Sequence, residues 1–102
     1  MTASTTPLAH RHLREAVTAL CREGVLVDRL DAAHHALSVI DPVRDLPPAL
    51  QFRFEELMAD IAYGAENVRE ALARMSAPDR DHLATRIVSL FDDALRLLAS
   101  DH

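Results

Sequence analysis

With 102 residues, 49% of them apolar and 26% charged, the chain has room for one small domain, and no apolar run approaches the roughly 18 residues a membrane span needs. Sixteen acids face eleven arginines and no lysine, a net charge of −5; residues 1–45 carry six acids and five arginines, and residues 46–102 carry ten and six. Neither half offers the basic face that duplex binding requires, so nucleic acid is not an expected partner, and two glycines with five prolines exclude collagen-like and linker-like chains.

Cys21 is the sole cysteine, which rules out an intrachain disulfide and a thiolate metal cluster. One thiol, without a positively charged start and an apolar run behind it, fits a reducing cytoplasm. Seventeen alanines and fifteen leucines beside arginine as the only basic residue point to a GC-rich bacterial genome.

Residues 1–5 are small and polar and are expected to be disordered. Thr6-Pro7 then supplies a capping hydroxyl and a proline at the first helical position. Leu13, Ala16, Val17 and Leu20 recur at helical spacing, with Cys21 at the edge of that face as a partly buried small hydrophobe. Gly24 ends or bends this helix. A second stripe comprises Leu26, Leu30, Ala33, Leu37 and Ile40, and Asp41-Pro42 stops it. Val43 to Leu46 reads as a short connection.

Pro47 is expected to start a third helix with the inward row Leu50, Phe54, Leu57, Met58 and Ile61, broken at Gly64. A short fourth helix from about Ala65 to Met75 carries Val68, Leu72 and Met75, with Glu70 and Arg74 paired one turn apart. Ser76-Ala-Pro-Asp79 resembles a capping box and opens the last helix, about Ala77 to Ala99. No segment alternates with period two over a strand length. The expectation is an all-α bundle of about five helices: a single domain over residues 6–99, with residues 100–102 frayed.

Two helices have more apolar circumference than one core needs. In the last, Leu83, Ile87, Leu90, Phe91, Ala94 and Leu98 form one stripe, which Val88, Leu95 and Leu97 widen to about 180°. That helix should be central, packed against two or more neighbours. In the third, Phe52 and Phe54 point about 160° apart, so only Phe54 joins the inward row. Phe52, Ala59 and Tyr63 then line a second face, interrupted by Glu56. This face is either sandwiched inside the monomer or exposed to a second subunit or partner.

Catalytic and metal signals are sparse. No His-x-x-x-His sets two imidazoles on one helical face. Asp31/His34 and Asp79/His82 echo the carboxylate-x-x-histidine pairs of di-metal bundles, but Glu15, Glu55 and Glu56 fall on outward or flanking positions, and Asp79 reads as a capping acid. There is no glycine-rich phosphate loop and no Gly-x-Ser-x-Gly elbow. No metal or cofactor is expected.

Arg29-Leu-Asp-Ala-Ala-His34, with His35, is similar to the motif of HEPN-class helical ribonucleases, an arginine four to six residues before a histidine. The resemblance implies RNA cleavage. This chain departs from it with Leu30 directly after the arginine, where the family usually has a polar residue, and with a motif in the second helix. Arg29 and His34 also lie about 140° apart on the helix.

The runs Asp28-Arg29-Leu30, Asp45-Leu46-Pro47-Pro48-Ala49-Leu50, Phe54-Glu55-Glu56-Leu57-Met58, Leu72-Ala-Arg-Met75 and Leu83-Ala84-x-x-Ile87-x-x-Leu90 resemble a pattern found in small bacterial all-helical proteins. That likeness implies the fold and no activity.

The functional expectation is a non-enzymatic protein that works by protein–protein contact, as a homodimer or an accessory subunit. Its interface residues are Phe52, Ala59 and Tyr63, with Val88 and Leu95 as a second group. A second expectation is a regulator of the antitoxin, immunity or phage-inhibitor kind that masks a basic partner. The helical ribonuclease is the third.

Overall fold

The computed structural model describes residues 4–62 and 66–98. Among them are six helices: α1 (Pro7–Leu20), α2 (Leu26–Leu37), α3 (Pro42–Asp45), α4 (Pro48–Ala62), α5 (Val68–Arg74) and α6 (Ala77–Arg96). The described residues contain no β-strand beyond a lone bridge between Thr5 and Leu98. The expected all-α bundle is what forms.

Side-chain caps start most of these helices where the sequence placed them. The Thr6 hydroxyl accepts the Ala9 N–H ahead of Pro7, and the Ser76 hydroxyl accepts the Asp79 N–H ahead of α6. The Asn67 side chain accepts the Glu70 N–H, so α5 begins at Val68, after the start expected near Ala65. Ala65 itself, and the break expected at Gly64, lie outside the described residues. Arg69 of α5 pairs with Asp28 of α2 at 2.6 Å, in place of the pairing expected between Glu70 and Arg74.

Further helix limits differ from those expected, among them the end of α6, which is Arg96 and not about Ala99. α1 ends at Leu20, and Gly24 forms the turn that follows, at φ +118°, a conformation L side chains rarely adopt. α2 ends at Leu37, and Ile40 is buried from beyond the helix end. The connection expected over Val43–Leu46 contains the single turn α3, because the Asp41 carboxylate accepts the Val43 and Arg44 N–H groups and Pro42 occupies the first helical position. α4 starts at Pro48, one residue late, with Pro47 buried before it.

α6 packs against α1, α2 and α4, which makes it the central helix its wide apolar arc required. Leu83, Ile87, Leu90 and Ala94 are buried along it. α1 and α2 form the closest pair, with Ala9, Ala16 and Ala33 fully buried beside Leu13, Leu30 and Leu37. Small side chains at such a contact let two helices approach closely. α4 contributes Leu50, Phe54, Leu57 and Ile61, and α5 contributes Leu72.

Of the segment 1–5 expected to be disordered, residues 1–3 lie outside the described residues, and Thr5 is buried and tied down. Its amide donates to the Leu97 carbonyl at 2.7 Å, and the Thr6 amide donates to the Asp45 carbonyl at 3.0 Å. Asp45 is the one charged side chain buried among the described residues, at 3% exposure. Its carboxylate accepts the Asp41 N–H at 3.0 Å, two guanidinium N–H groups of Arg44 at 3.1 and 3.0 Å, and the Thr6 hydroxyl at 3.3 Å. The Arg44 hydrogen bond is the main reason its pKa lies below the ordinary 3.8, and the Asp41 and Thr6 bonds act in the same direction against burial.

Asp45→Ala is expected to destabilise the fold by about 2–3 kcal/mol in urea unfolding, the range for loss of hydrogen bonds to a charged group. A carboxylate with a lowered folded-state pKa stabilises fully above its unfolded value and loses that contribution as pH falls through the folded value. Wild-type stability should therefore fall below about pH 3.8 more steeply than that of Asp45→Ala.

Candidate interaction surfaces

The inward row of α4 turns Phe54 into the core at 4% exposure and leaves Phe52 on the opposite side at 70%. The sandwiched alternative therefore does not hold for Phe52: no described residue covers it. Ala59, two turns along the same face, is half-buried. Tyr63, the third residue expected there, lies outside the described residues.

Val88 and Leu95 of α6 are exposed at 46% and 44%. They do not join Phe52. α4 and α6 run antiparallel along a seam of ion pairs, Arg53 to Asp93 at 2.6 Å and Arg86 to Asp60 at 2.8 Å. On α6, Val88 lies about 160° around the helix from Arg86 and Leu95 about 160° from Asp93, away from that seam. Val88 instead borders a groove between α1, α2 and α6, with Val17, Leu20, Leu26, Ala84 and Phe91. The four described candidates, Phe52, Ala59, Val88 and Leu95, thus divide between two faces. His10 stacks on Phe91 with ring centroids 5.7 Å apart and covers part of that ring.

Cys21 stands at the edge of the same groove and is exposed, where the sequence reading had it partly buried. The cause is the early end of α1: Cys21 is the C-cap, beyond the last buried turn.

Arg29 has a role the sequence did not disclose. Its guanidinium donates to the Leu20 carbonyl at 2.7 Å and to the Gly24 carbonyl at 3.1 Å. α2, which lacks a side-chain cap of its own, thereby satisfies the last carbonyl of α1 and one of the turn that follows it. Arg80 repeats the device, donating to the carbonyls of Leu72 and Met75 at the end of α5. Both arginines occupy the fourth position of a helix that follows a tight connection, and that spacing is the only signal the sequence offers.

The histidines sit elsewhere. His34 and His35 line a concavity between α1 and α2 with Glu15, Arg22, Asp31 and Ser38. Arg29 borders the apolar groove, so the two halves of the ribonuclease-like motif open on different concavities. His12, largely buried, pairs with Glu15 at 3.2 Å one turn along α1. Among the described residues no three histidine, cysteine, aspartate or glutamate side chains are grouped to hold a metal ion. Asp79 occupies the first turn of α6, where the helix dipole favours an acid.

Burial is the largest influence on His34 and lowers its pKa below 6.5; Asp31 opposes this shift and His35 adds to it. No protein-family model, curated protein or solved structure matches the chain.

A histidine whose pKa is lowered by folding binds a proton more readily when unfolded. Stability should therefore rise with pH through the window just below 6.5 and level off above it. His34→Gln, compared by urea unfolding across that range, should show a shallower rise; an identical slope would exclude His34 as its source.

Proposed function

We propose that the protein acts by contact with other protein surface, as a homodimer or an accessory subunit in a bacterial cytoplasm, and carries out no chemistry of its own. The observation that carries this reading is Phe52, held 70% exposed by a helix whose other side is buried. A large aromatic side chain left in water forfeits roughly 25 cal/mol for each Å² of apolar surface, which a bound surface would recover. The apolar groove beside Val88 adds a second place where association would remove such surface from water.

The reading without catalysis draws support from what its candidate groups already do. Arg29 is engaged with two backbone carbonyls, and His34 faces a different side of α2. The free thiol of Cys21 suits a reducing compartment, and among the described residues no helix is long and apolar enough to cross a membrane.

Sedimentation velocity of the protein alone, and of the tagged chain purified from its native cell with whatever it binds, tests the proposal. Complexes larger than one chain are expected. Phe52→Glu should weaken the complex that uses the α4 face about 30-fold, as for loss of an anchor worth about 2 kcal/mol, with helical circular dichroism unchanged. Loss of folding in that variant would mean Phe52 supports the core. A strict monomer that retains no partner would overturn the proposal.

A further inference from the structure

The α4 face around Phe52 is chemically specific. On a helix of 100° per residue, with Phe52 as reference, Ala59 lies about 20° and Glu55 about 60° to one side, and Glu56 about 40° to the other. An exposed ring is thus bracketed by two exposed carboxylates one turn further along the helix. No arginine of α4 shares this arc. Arg53 is turned to the seam, where Asp93 and Ser89 hold it. Arg86 makes its short contact to Asp60 at 2.8 Å and meets Glu56 only at 3.8 Å. Glu55 has no ion pair or hydrogen bond to any described side chain.

We infer that this face docks a cationic segment of a partner protein, an arginine- or lysine-bearing stretch laid across Phe52 between Glu55 and Glu56. A guanidinium or ammonium over the ring is attracted by its π face, and the flanking carboxylates fix the charge on either side. The same charges disfavour the alternative occupant. A two-fold pairing of α4 with α4 would set against Glu55 and Glu56 a copy of the same arc, which carries no cation to meet them, in a chain already carrying a net charge of −5. This inference rests on the proposed role in protein–protein contact and adds the chemistry of the partner at one face.

The test is a titration of the ¹⁵N-labelled protein with a nonaarginine peptide, and with a neutral glycine-serine peptide of equal length, followed by amide chemical shifts. Saturable shifts centred on residues 52–59 are expected for the cationic peptide alone, weakening as salt is raised. Phe52→Ala, and Glu55→Gln with Glu56→Gln, should each lower the affinity roughly tenfold. Glu70→Gln with Asp81→Asn removes the same charge from other exposed positions and should leave the affinity close to wild type. Well-dispersed spectra verify that each variant is folded.

Shifts spread over all the acidic surface, or equal losses in the two charge-removed variants, would overturn the inference. So would a wild-type homodimer dissolved by Phe52→Glu, which would identify α4 as the self-association face and leave the proposed function standing. A strict monomer indifferent to the peptide would overturn both.

Discussion

One buried carboxylate ties together the start of α1, the turn α3 and, through the neighbouring Thr5, the end of α6. Asp45 lies at the end of the single turn α3, yet its side chain fixes the entry of α1 through the Thr6 hydroxyl and the entry of α3 through the Asp41 amide. Its backbone carbonyl holds the Thr6 amide, and the adjacent Thr5 amide holds the end of α6. A carboxylate removed from water is costly unless its lone pairs are filled. Arg44 and these neighbours fill them, so the arrangement is stable as a set and poor when any member is lost. Three segments far apart in the chain are thereby held at one point.

With that point fixed, the division of apolar surface follows. α6 packs against α1, α2 and α4, and only the part of its wide arc that faces the core is consumed. α4 meets α6 along a row of ion pairs and also packs on α5, and no described residue covers Phe52 on its outer face. One core of this size covers one side of each helix. Phe52, Val88 and Leu95 remain outside it on two different faces.

Much of this was legible in the sequence because it depends on periodicity and local capping. Thr6-Pro7, Ser76 and the leucine rows place α1, α2, α4 and α6 within a few residues, and the two-residue offset between Phe52 and Phe54 already required one ring to face away from the core. Whether another helix covered that ring was not legible, because it depends on how α5 and α6 lie against α4. The roles of Asp45, Arg29 and Arg80 were also hidden. Each acts on backbone groups five or more residues away, Asp45 on the Thr6 amide and hydroxyl across the fold, and no pattern of residue types encodes such a reach. Cys21 was misplaced for a related reason: helical spacing carries it onto the apolar face, but α1 stops one residue short of it.

The hydrogen bond of 2.7 Å between the Thr5 amide and the Leu97 carbonyl brings residues 92 positions apart in sequence to one place, so the described chain traces a nearly closed ring. Circular permutation exploits such geometry. A short linker from the end of α6 to Thr5, with a new opening at the exposed Ser38–Val39 pair, yields the order α3-α4-α5-α6-α1-α2. The α1–α2 pair, the Arg29 clamp and the Asp45 cluster all survive that reordering within unbroken chain. The packing thus specifies which helices are neighbours and leaves open which of them comes first.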